Sequence, residues 1–155
     1  MERHPAMPAD MPRNALNDPV LRLALYWQAA NLMRCHVDEL RAPPYGIEAV
    51  IEDGEIWRYH AYLSAWLSGL YVVAEAFSKL KLADAAVEAL IAEHGKSLRR
   101  FRNATYHFEM DPERQLQMLR DGPSRLNGVL ELHEALRRFL LGYAASVDPP
   151  QQARI

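Results

Sequence analysis

The segment from Glu55 to Leu80 does most to limit what this chain can fold into. Tyr59, Tyr62, Leu63, Trp66, Leu70, Val73 and Phe77 recur at steps of three and four residues, the spacing of one face of an α-helix. Ala61, Ala65, Ser68, Gly69 and Ala76 lie among them and are small enough to let a neighbouring helix approach closely. A helix this long, with so broad an apolar face, needs other helices against it. It is expected to be the central, most buried element of a helical assembly.

The rest of the chain supplies the partners. Asn17-Asp18-Pro19 joins capping side chains to a proline at the first helical position, a helix-start signal. The helix it opens runs from Val20 to about Leu40, with Leu21, Leu25, Leu32 and Val37 marking its face and Tyr26, Trp27 and Met33 widening it. Ala42-Pro43-Pro44-Tyr45-Gly46 ends it, and the link to Asp53-Gly54 fits either a short helical turn or a loop. A third helix is expected over about Ala83 to His94, carrying Val87, Leu90 and Ile91 and stopping at Gly95. Lys96 to Phe108 reads as a fourth, and Asp111-Pro112 begins a short new one. Gly122-Pro123-Ser124 opens a last helix to about Ala145, with Leu126, Leu130, Leu132, Leu136, Phe139, Leu140 and Tyr143. No strand alternation persists and no internal repeat is evident. The expected fold is an all-α bundle of four to five main helices, one domain over residues 17–147 between a flexible N-terminal arm (1–16) and a flexible C-terminal tail (148–155).

Composition narrows the function classes. Half of the 155 residues are apolar and a quarter are charged, which fits a folded domain with a core of its own. A net charge of -2 argues against wrapping nucleic acid non-specifically over the surface, though not against a local basic site. Cys35 is the single cysteine, so neither an intrachain disulfide nor a Cys-based zinc site is expected, and the reducing cytoplasm is the natural setting. Met1 to Asn14 lacks the apolar run of a signal peptide, and no stretch approaches the roughly 20 apolar residues that span a bilayer. No membrane association is expected.

Chemistry concentrates in Arg99-Arg100-Phe101-Arg102-Asn103-Ala104-Thr105-Tyr106-His107-Phe108. On a helix, Asn103 and His107 lie one turn apart, as do Arg99 and Asn103, with Arg102 and Tyr106 on the neighbouring face. Phe101, Thr105 and Phe108 can turn inward as anchors, while Lys96 and Arg100 add positive charge. Arginine is a permanently charged fork suited to phosphoryl oxygens. Histidine exchanges protons near neutrality and suits general acid–base work at a hydroxyl or a leaving oxygen. Arg102 would stabilise charge on a phosphoryl group, and Asn103 would orient His107 or bind substrate. A solvated helix face would carry the same residue types.

At these residues the chain resembles the HEPN superfamily (higher eukaryotes and prokaryotes nucleotide-binding domains). Members are compact helical bundles with an Arg, a polar residue and then a His four to six positions after the Arg. Arg102-Asn103-Ala104-Thr105-Tyr106-His107 matches the Arg-Asn-x-x-x-His form, late in the bundle and before a final long helix. The likeness covers residues 18–146 at the level of helix pattern. It implies a metal-independent endoribonuclease needing no cofactor, of the kind found among toxins and defence proteins. It also implies a homodimer that joins two motifs in one cleft and, for a toxin, an antitoxin partner. Arg102 and His107 become the catalytic pair and Asn103 their support, with Lys96, Arg99, Arg100 and Tyr106 around the RNA or nucleotide. The implied reaction is attack of a ribose 2′-hydroxyl on the adjacent phosphodiester. Some members are non-catalytic nucleotide- or protein-binding dimerisation modules, and that alternative stands beside the enzyme.

Other residues read more plainly. Most of Trp27, Trp57, Trp66 and the seven tyrosines lie on helices with core spacing and are expected to pack or to make dimer contacts rather than to stack bases. Cys35 and His36 are helix neighbours pointing about 100° apart, which does not make a nucleophilic pair. His4, His36, His60, His94 and His133 show no metal-ligand spacing. Arg137-Arg138 is expected to be a solvated face.

Overall fold

The computed structural model describes residues 17–40, 54–106 and 122–147. Four helices occupy them: α1 (Pro19–Glu39), α2 (Gly54–Lys79), α3 (Ala85–Tyr106) and α4 (Gly122–Val147). Each packs on the next and α4 closes on α1, so the expected all-α bundle is what forms. The contacts fix direction too. Asp18 meets Tyr143 and Trp27 meets His133, so α1 and α4 run antiparallel. The expected arm, the tail, the 42–53 link and the helix opening at Asp111-Pro112 lie outside the described residues.

As expected, α2 is the spine. Tyr59, Leu63, Trp66, Leu67, Leu70, Val73 and Phe77 are buried in the core, with Leu70 and Val73 fully so. Each such side chain contributes about 1.5–3 kcal/mol on leaving water. Gly69 lets α1 approach closely: a Cβ there would sit 3.1 Å from that of Ala30, which is itself buried.

The expected face of α1 needs correction. Val37 is buried, but Leu25 and Leu32 are exposed and Leu21 is half-buried. The core takes Val20, Leu23, Trp27 and Ala30 instead. The segment is apolar most of the way round, so periodicity offered two faces, and packing against α2 and α4 chose between them. Asp18 caps α1 as expected: its Oδ1 accepts from Val20 N (2.8 Å) and Leu21 N (3.3 Å), and its Oδ2 accepts from Tyr143 Oη (2.8 Å).

A second correction concerns Gly95, which was expected to end one helix before another began at Lys96. Instead α3 runs through it. Val87, Ile91, Leu98 and Phe101 continue one apolar stripe across the glycine, and that burial outweighs the roughly 1 kcal/mol a mid-helix glycine costs. The stop that does form lies earlier, between α2 and α3. Lys81 takes the left-handed conformation (φ 53°), and Leu82 N donates to Phe77 O at 3.2 Å. Asp84 then opens α3, accepting at 3.0 Å from both Ala86 N and Val87 N. No described helix is long and apolar enough to cross a membrane.

Candidate functional site

Two clusters of polar side chains stand out among the described residues, one at the end of α3 and one in the core.

The first is the motif region. Lys96, Arg99, Arg100 and Asn103 are exposed along the last turns of α3, and Arg102 is half-buried. Phe101 packs partly into the core, and Thr105 Oγ1 donates to Phe101 O (2.9 Å), so both turn inward as expected. Arg102 Nη1 donates to Asn103 Oδ1 at 3.2 Å, and its guanidinium lies 5.9 Å from the centre of the Tyr106 ring. Tyr106 itself is 65% exposed, leaving a ring face open to solvent. Among the described residues, no carboxylate is ion-paired with Lys96, Arg99, Arg100 or Arg102. His107, Phe108, Glu109 and Asp111 lie outside the described residues. Of the expected site, then, Arg102, Asn103 and Tyr106 are together and Arg99, Arg100 and Lys96 flank them.

A further polar row, not singled out from the sequence, centres on Glu75 of α2. Its Oε1 accepts from Tyr71 Oη (3.2 Å) and its Oε2 pairs with Lys79 Nζ (3.1 Å), a row at i−4, i and i+4. The Lys79 hydrogen bond and, behind it, those of Tyr71 and the charges of Lys79 and Arg102 hold this carboxyl below its usual range. The signal was the spacing of Tyr71, Glu75 and Lys79, which points all three to one side of α2.

The second cluster is buried. His133 on α4 has no exposed surface. Trp66 Nε1 donates to its Nδ1 at 3.3 Å, which assigns the proton to Nε2; that nitrogen donates to Asn31 Oδ1 at 3.1 Å. Arg34 Nε donates to the same Asn31 oxygen (3.3 Å) and reaches Asp38 with Nη1. Trp27 lies 4.8 Å from the imidazole, ring centre to ring centre, and donates its Nε1 to the His133 carbonyl at 3.1 Å. Burial above all, then the charges of Arg34 and Arg137, push His133 down to about 4, so it is neutral at pH 7. Trp27 and Trp66 thus pack, as expected, while the Trp57 side chain lies outside the described residues. This network joins α1, α2 and α4 and engages both ring nitrogens of His133.

His36 stacks on Tyr62 (4.7 Å between ring centres) and its Nδ1 is 3.3 Å from Glu39, without engaging Cys35. Arg137 and Arg138 are exposed. The His94 ring fills the notch that Gly128 leaves in α4, where a Cβ would overlap it. No family model, curated protein or solved structure matches the chain.

Proposed function

We propose that the protein is a HEPN-type, metal-independent endoribonuclease that works as a homodimer in the cytoplasm, of the toxin or defence kind, with an antitoxin as its protein partner. In this reading Arg102 stabilises charge on the scissile phosphate, Asn103 orients the catalytic groups, and His107 is the general acid–base residue. Lys96, Arg99 and Arg100 draw in the RNA backbone, and a second copy brings its own Arg102 and His107 to the same cleft. The 2′-oxygen bonds to phosphorus as the P–O5′ bond breaks, giving a cyclic phosphate and a free 5′-hydroxyl.

The single observation that carries this is the state of Arg102. It is joined to Asn103 at 3.2 Å on a rigid helix, beside an exposed aromatic ring and unpaired with any described carboxylate. An arginine with one donor given to a neighbouring amide keeps others that can take up an anion.

The test is cleavage of single-stranded RNA in a chelator by the purified protein, beside Arg102→Ala and His107→Ala. Cyclic-phosphate ends made by the native protein and lost in both variants support the reading. Binding of RNA without cleavage points to the non-catalytic module, and equal cleavage by all three points to a contaminant and refutes the assignment.

A further inference from the structure

We propose that the groove between the end of α2 and the start of α3 binds a small organic ammonium ion, its apolar body on Phe77, Leu82 and Ile91 and its charged N–H donors on Glu88 and Ser78. The site stands apart from the ribonuclease reading: Glu88 and Arg102 lie about 21 Å apart along α3.

The turn between the two helices builds the groove. Lys81 is left-handed and Leu82 N donates to Phe77 O at 3.2 Å, which brings Leu82 back against the end of α2. Asp84 then opens α3, and Glu88, Ile91 and Ala92, within four residues of one another, face Phe77 and Ser78. These six residues line one cavity of about 300 Å³, the small end of the range for ligand pockets. The Phe77 ring is held edge-on by Phe139, with 5.0 Å between ring centres, so the apolar part of the lining is firmly placed.

The polar part offers acceptors alone. Ser78 Oγ gives its proton to Ala74 O (3.2 Å), which leaves the oxygen its lone pairs. Glu88 Oε1 accepts from Asp84 N at 3.3 Å and its second oxygen keeps its capacity, while no described cation is ion-paired with this carboxylate. Lys79, next to Ser78 in sequence, is engaged by Glu75 at 3.1 Å. An anionic ligand would meet Glu88 without a side-chain donor to offset the repulsion. A neutral apolar one would leave the carboxylate unanswered. An ammonium on an apolar body matches both the floor and the rim.

Amide NMR titration of the full chain with phenethylammonium tests this, beside phenethyl alcohol and hydrocinnamate, which keep the phenyl body and exchange the charged end. The ammonium should give saturable shifts at Ser78, Leu82, Glu88, Ile91 and Ala92. The alcohol should bind roughly fivefold more weakly, the weight of one exposed ion pair, and hydrocinnamate should not bind. Glu88→Gln keeps an acceptor for Asp84 N and should abolish the preference for ammonium over alcohol. Ala92→Phe, at an exposed position on the rim, should fill the groove and remove binding of both. Equal binding of ammonium and alcohol by the native protein, a preference that survives Glu88→Gln, ammonium binding that survives Ala92→Phe, or no saturable shift at all overturns the proposal.

Discussion

Two places in this molecule use nearly the same side chains to opposite ends. Around the buried His133, Asn31, Arg34 and His133 form a connected set in which Asn31 Oδ1 accepts from both partners at 3.1 and 3.3 Å. At the end of α3, Arg102 and Asn103 form a pair that the sequence continues with His107. The core histidine has no exposed surface and both its ring nitrogens are engaged. The α3 pair stands at the surface with donors to spare. Residue type is therefore no guide to role here: what separates the structural network from the candidate site is that its histidine is buried with both ring nitrogens engaged, while the α3 pair stands at the surface.

The comparison is sharpest in activity. Arg102→Ala should lower RNA cleavage by about 10²–10³-fold, as expected for removing a charge-stabilising donor, while leaving the thermal midpoint within a degree or two. Initial rates on a labelled RNA measure the first and a melting curve the second.

The core set should respond the other way. His133→Leu strands the Trp66 indole N–H and one side of Asn31, so unfolding in urea at pH 7 should show a loss of about 2–3 kcal/mol. The same residue makes stability depend on pH. His133 sits near 4 in the fold against 6.5 when unfolded, so its contribution is fully present above pH 6.5. Below that, the unfolded chain takes up a proton that the folded one refuses, and stability declines as pH falls towards 4. The loss should reach roughly 2 kcal/mol by pH 5. Urea titrations at pH 7 and pH 5 should show this excess slope in the native protein, and a His133→Leu variant that keeps it would remove His133 as the cause.

Two smaller effects test the frame that separates the clusters. Gly128→Ala drives a Cβ into the His94 ring and should cost about 1–3 kcal/mol by the same urea measurement. Lys81→Gly relieves a left-handed residue at the end of α2 and should raise stability by under about 1 kcal/mol.

The fold was legible where one signal had one solution. The small and large residues of α2 announced a buried helix, and Leu70, Val73 and Phe77 are buried accordingly. The Asp18-Pro19 start was equally plain, because cap chemistry is local. Where a signal had two solutions, tertiary contact decided. The apolar residues of α1 describe two faces, and the side against α2 and α4 became the core. Gly95 reads as a stop only until Leu98 and Phe101 are seen to extend the stripe of Val87 and Ile91. For the site, Arg102, Asn103 and Tyr106 were visible because they lie within five residues on one helix. The His133 network was not, since Asn31 and Trp66, its partners, are 102 and 67 positions away.

The central claim, that the α3 cluster acts while the core cluster supports, is tested most directly by measuring metal-free RNA cleavage and thermal midpoint side by side for Arg102→Ala and His133→Leu, with cleavage assayed well below both midpoints. The account predicts that Arg102→Ala loses cleavage and keeps its midpoint, while His133→Leu loses midpoint and keeps cleavage. Native cleavage by Arg102→Ala, with a midpoint lowered as far as that of His133→Leu, would contradict it.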